Sequence, residues 1–168
     1  GCTNAADWNA NRSSQIHSFD TSSIQAQPDI IAKLPQGALE DGVLDVAAST
    51  DYAPAEFLDP SGTAVGYDVD LTNAIAAVLG VKGKVHTAEF DSIIASIGSK
   101  YDAGISSFTV TPERTAEVDM TAYINVGSRF NVQAGNPKDV ETSDHLKLCG
   151  RTIGVQVGTA QETTMRDA

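Results

Sequence analysis

The chain has 168 residues, 41% hydrophobic and 20% charged, enough to bury one substantial core but short for two complete domains. Its 22 acidic residues outnumber 11 basic ones, and the resulting net charge of −11 excludes a nucleic-acid binder that works by neutralising phosphates. No stretch reaches the roughly 20 apolar residues of a membrane-spanning helix, and Cys2 and Cys149 form neither a CxxC nor a Cys/His cluster, so no metal or cofactor is expected.

Gly1-Cys2-Thr3-Asn4 fits the end of a lipoprotein leader, a small residue before a lipidated cysteine; an incidental terminal cysteine is the other reading. Residues 1–27, rich in Asn, Ser, Ala and Gln without period, read as a tether. Pro28 to Pro35 suits a short helix or turn, and Val43 to Ala48 a first strand that breaks into a loop at Ser49–Pro54. Pro60-Ser61-Gly62 is a turn. In the helix that follows, ending at Gly80, Leu71, Ala74, Ile75, Val78 and Leu79 share one face, Asp68 caps the start and Gly80 supplies the left-handed stop. Lys84–Thr87 is a second strand, Asp91–Ile97 a second helix with Ile93, Ile94 and Ile97 inward, and Ala103–Ile105 a third strand. Thr111-Pro112-Glu113 has the chemistry of a helix start. Val126–Ala134 alternates like a strand, Thr152–Val157 is another, and Thr159-Ala160-Gln161-Glu162 is a capping box. Strands alternating with helices give an α/β fold with an open sheet. Cys149 is expected as a buried thiol or as the partner of a cysteine outside this chain.

Ligands of open α/β sheets gather beyond the carboxyl ends of the strands. Three such places are polar here. Ser106, Ser107 and Thr109 precede Arg114, whose planar fork can grip a carboxylate; the same residues also suit an ordinary loop and a surface arginine paired with Glu113 or Glu117. Gly158 to Gln161 can offer amides to an anion or simply cap a helix. Tyr52 and Phe90 can sandwich a side chain or cover a core edge.

The strings Tyr52-Ala53-Pro54-Ala55-Glu56-Phe57, Gly66-Tyr67-Asp68-Val69-Asp70-Leu71, Ser106 to Arg114 and Gly154 to Glu162, in this order and spacing, resemble the family 3 bacterial solute-binding proteins. The resemblance runs from about Leu39 to the end. It implies a periplasmic-binding-protein-like II fold, here one open α/β lobe (28–125), an inter-lobe crossover (126–136) and the beginning of a second lobe (137–168), the chain being a truncated form of a longer one. It further implies that Arg114 binds the α-carboxylate of an amino acid with the amides of Thr109 and Ala160, that Ser106 and Ser107 meet its ammonium or carboxylate, that Tyr52 and Phe90 flank its side chain, and that Thr159 caps the helix facing the carboxylate. Ala55 stands where the family has phenylalanine, which would loosen the pocket wall, and Ala160 where a second threonine is common.

The function implied is the substrate-binding component of an ABC importer for polar amino acids. Its partners would be a free amino acid and a membrane permease, without nucleic acid, on a monomer outside the cytoplasm, held to the membrane only through a lipid at Cys2 or periplasmic. An enzyme on the same scaffold, similar to cyclohexadienyl dehydratase, and a sensory ligand-binding domain are the alternatives. His17 in the tether, His86 in a strand and His145 in a polar loop read as surface or structural residues, poor candidates for a general acid or base.

Overall fold

The computed structural model describes residues 18–167, so Cys2 and His17 lie outside the described residues. Strand β1 (Val43–Ala48) is the centre of a three-stranded parallel sheet between β5 (Lys82–Thr87) and β6 (Ala103–Gly104). Its neighbours pair in register along its length, Val43 with Lys82 through Ala48 with Thr87, and Val46 and Ala47 with Ala103 and Gly104. Flanked on both edges, β1 is near-continuously apolar, and its alternate side chains feed two clusters. Leu44 and Val46 pack with Ala76, while Ala47 packs with Ile93 and Tyr101.

A second, antiparallel sheet joins β2 (Asp51–Tyr52), β3 (Glu56–Leu58) and β4 (Ala64–Val65), where the sequence suggested only loop and turn. The expected turn at Pro60-Ser61-Gly62 closes β3 onto β4. The Asp59 carboxylate accepts from the Ser61 and Thr63 amides at 2.8 and 2.9 Å, an Asx turn that makes the hairpin.

Pro28–Ile31 forms a single-turn helix, α1. Helix α2 (Tyr67–Leu79) ends at Gly80 in the left-handed conformation, φ 71°, as its sequence requires. Its inward face differs from the expected one: Asp68, Val69, Thr72 and Ala76 are buried, whereas Ile75 is 43% exposed. Asp68 caps nothing. The N-cap is Gly66, and the Tyr67 and Asp68 amides donate to the Pro54 and Ala55 carbonyls of the small sheet. That junction needs glycine, because Gly66 has φ 123° and a Cβ there would collide with the Ala55 carbonyl. Residues 18–27, the end of the expected tether, run against α2: the Phe19 amide reaches Asp70 at 2.9 Å and the Gln27 amide reaches the Val78 carbonyl at 2.8 Å.

The second expected helix is split into a 3-10 turn at Phe90–Ser92 and α3 (Ile93–Ser96), with Ile93 fully buried and Ile94 and Ile97 half-buried. Next comes α4 (Pro112–Thr115), capped by Thr111, whose hydroxyl accepts from the Arg114 amide at 3.3 Å. Beyond it the order changes. Neither Val126–Ala134 nor Thr152–Val157 is a strand; both are unladdered and, Ile153 apart, exposed, because alternation makes a strand only where a second strand completes its hydrogen bonds. Cys149 is exposed and unpaired, not buried. The chain ends in α5 (Ala160–Asp167), where Thr159 Oγ1 accepts from the Glu162 amide and Glu162 reaches back to the Gly158 amide, one residue before the usual partner of a capping box. No helix among the described residues is long and apolar enough to cross a membrane.

Candidate functional site

The loops that leave β1 and β6, the 3-10 turn at Phe90, and the segments around Val126 and Gln156 enclose a cavity of about 1190 Å³. Tyr52, Phe90, Ser106, Ser107, Thr109, Arg114, Thr159 and Ala160 all line it, so residues spread over more than a hundred positions meet around one space. The parallel sheet explains half of this convergence. Ser106 lies two residues beyond β6, Ser49 and Tyr52 follow β1, and Phe90 follows β5, so three adjacent strands deliver their loops to one end.

Arg114 is the best-framed side chain. Its Nη1 donates to the Thr109 carbonyl at 2.7 Å and its Nη2 to the Gly158 carbonyl at 2.9 Å. The guanidinium lies over Phe90 and Phe108 at 5.7 and 5.3 Å, and these two rings stack with centroids 4.5 Å apart. It turns to these carbonyls rather than to Glu113 or Glu117. Burial lowers its pKa below the usual arginine value, yet an arginine stays charged throughout the neutral range. Two of its five N–H groups are engaged, which leaves three for an anion. Gly158 is fixed by geometry: at φ 77° it passes so close to Asp91 that a Cβ would sit 2.7 Å from the Asp91 Cβ.

The two serines differ. Ser106 is 4% exposed, and its hydroxyl donates to Glu56 Oε1 at 2.6 Å while accepting from the Ser49 amide at 3.0 Å, so its one proton is spent inside the protein. Ser107 has φ 52°; its buried Oγ acts on the Tyr67 and Tyr123 phenols but makes no hydrogen bond of good geometry. Tyr52 is 56% exposed at the rim. Thr159 caps α5 and donates to the Gln156 carbonyl at 2.8 Å. Ala55 is fully buried away from the cavity, so it does not loosen a pocket wall. His86 pairs with Asp45 in the sheet, its ring 5.3 Å from Tyr101, and lies off the cavity.

Several lining residues escaped the sequence reading: Ser49, Asp51, Glu56, Tyr67, Ser128 and Gln156. Glu56 had a signal, a lone acid beside Ala55, Phe57 and Leu58. Gln156 donates to Ser49 Oγ at 3.4 Å and Gln161 to Ser128 Oγ at 2.6 Å, stitching the late segments to the rim and to one another.

Residues 44–166 match the bacterial extracellular solute-binding proteins, family 3. The chain belongs to that family. It is 33% identical over 138 residues to the arginine-binding protein ArgT of Corynebacterium glutamicum, covering 81% of this chain and 44% of that protein. It is 33% identical over 129 residues to the L-cystine-binding protein TcyJ of Escherichia coli K12, covering 76% of this chain and 48% of that protein. Among solved structures, the ancestral amino acid-binding protein AncCDT-1, a precursor of cyclohexadienyl dehydratase, superposes with a TM-score of 0.69 at 32% identity, over 77% of this chain and 58% of that one. The chain thus spans about half the length of the relatives it matches. Its α/β fold with a parallel sheet is part of the periplasmic-binding-protein-like architecture.

Proposed function

We propose that this chain carries the amino-acid site of the substrate-binding component of an ABC importer, holding a free polar amino acid outside the cytoplasm and delivering it to a membrane permease without chemical change. The observation that carries the reading is Arg114: a charged fork, oriented by two carbonyls and two aromatic faces, lining a cavity with donors to spare. In this reading Arg114 takes the α-carboxylate with the amides of Thr109 and Ala160, and Thr159 holds the start of α5 towards it. Ser106 contributes its backbone and Ser107 its unpartnered hydroxyl, and Tyr52 and Phe90 flank the side chain. Residues 126–136 serve as the crossover and 137–168 open a second lobe that closes on the ligand by a hinge motion. Cys2 is the lipid anchor, and the protein acts as a monomer.

Two named relatives bind arginine and L-cystine, which puts those two ligands first in the test. A thermal-shift series with the twenty amino acids and L-cystine should show at least one ligand raising the melting point, since a hundredfold excess over Kd adds about 2.7 kcal/mol to the folded state. A flat response to all of them contradicts the reading.

A further inference from the structure

We propose that Glu56 and Asp68 share one proton beneath the cavity, and that Glu56 thereby acts as a positioning residue for Ser106 in the cavity wall. Both carboxyls are 0% exposed. They are brought together by the junction at which the first turn of α2 hangs its amides on Pro54 and Ala55. Each has one satisfied oxygen: Glu56 Oε1 accepts from Ser106 Oγ at 2.6 Å, and Asp68 Oδ2 accepts from the Tyr123 hydroxyl at 2.8 Å. The other two oxygens, Glu56 Oε2 and Asp68 Oδ1, are buried without a donor, and the Asp68 amide sits on the carbonyl of Ala55, the residue before Glu56.

Two ionised carboxylates cannot satisfy one another, and burying both uncompensated is prohibitively costly. One hydrogen resolves both orphans at once, carried on Glu56 Oε2 and donated to Asp68 Oδ1. Asp68 also accepts from Tyr123 and stands in the first turn of α2. Burial, followed by the Asp68 and Asp51 carboxylates, pushes Glu56 up to about 8, against the opposing pull of Ser106. The other titratable groups facing Glu56, Tyr67 on α2 and Tyr123 beyond α4, are themselves kept neutral by burial.

Ser106 hangs on one end of this pair and Tyr123, three residues before Val126, on the other. Loss of the shared proton sets two like charges side by side, so Glu56 is repelled from Asp68 while keeping Ser106 as a charge-assisted donor, and the Ser106 it holds shifts with it. The folded chain therefore keeps a proton that the unfolded chain has lost between pH 4.5 and about 8, so stability falls as pH rises through that window and levels off above it.

Carbon-13 NMR of the Glu56 side-chain carboxyl in the full chain should show a midpoint near 8. Glu56→Gln, whose amide supplies the same hydrogen permanently, should remove that part of the fall in melting point between pH 4.5 and 8. Asp68→Asn should bring the Glu56 midpoint down by replacing a like charge with a donor. A Glu56 midpoint near 4.5 in the unmutated chain overturns the proposal, whether or not either variant folds. The positioning role rests on the amino-acid-binding reading and has its own readout, the pH profile of Kd for L-arginine and L-cystine. It should weaken above pH 8 in the unmutated chain and flatten in Glu56→Gln, and an identical profile in both overturns the positioning role. If neither probe binds at any pH, the binding reading fails for those ligands while the proton titration still decides the pair.

Discussion

Val43–Ala48 and Val126–Ala134 both carry apolar side chains at strand spacing, and they end in opposite environments. The first lies between two parallel partners and is buried along most of its length. The second is exposed throughout, with Val126 at 67%. Among the described residues beyond Ser106, only Leu148 is buried. The lesson is that a strand belongs to a pair of segments rather than to one, because its backbone groups are satisfied only by a neighbour.

Mutations can break that comparison. Ile93→Ala should show the largest effect, a loss of about 2–5 kcal/mol in denaturant unfolding, because Ile93 is fully buried against Ala47 and Tyr101 and its removal leaves a cavity. Val126→Ala should change the same measurement by less than about 0.5 kcal/mol, as exposed side chains do. Similar values for the two would mean that the late segment belongs to the folding core.

Much of the early half was legible in the sequence. The apolar run of β1, the Gly80 stop and the Thr111 cap each rest on short-range chemistry that a few residues determine. The buried face of α2 differs from the expected one because what covers it comes from elsewhere: the Ala55 carbonyl of the small sheet and the Tyr123 hydroxyl hold Asp68 inward, and apolar periodicity alone cannot anticipate a buried acid. The late strands were misread for the reason given above. Some cavity residues, Arg114 and Phe90 among them, were legible through motif order, whereas others such as Ser49 and Gln156 were not, and neither was the division of labour among them. That the Ser106 hydroxyl is consumed by Glu56 and the Ser49 amide depends on contacts 50 and 57 residues away in sequence.

Arg114 is the proposed anchor of the amino-acid site. The most direct test is calorimetric titration of the amino acid with the largest thermal shift into the unmutated chain and into Arg114→Ala. Loss of a charge-assisted contact of about 1.5–3 kcal/mol should weaken Kd by about 10- to 150-fold, with the chain still folded by circular dichroism. An unchanged Kd would contradict the site.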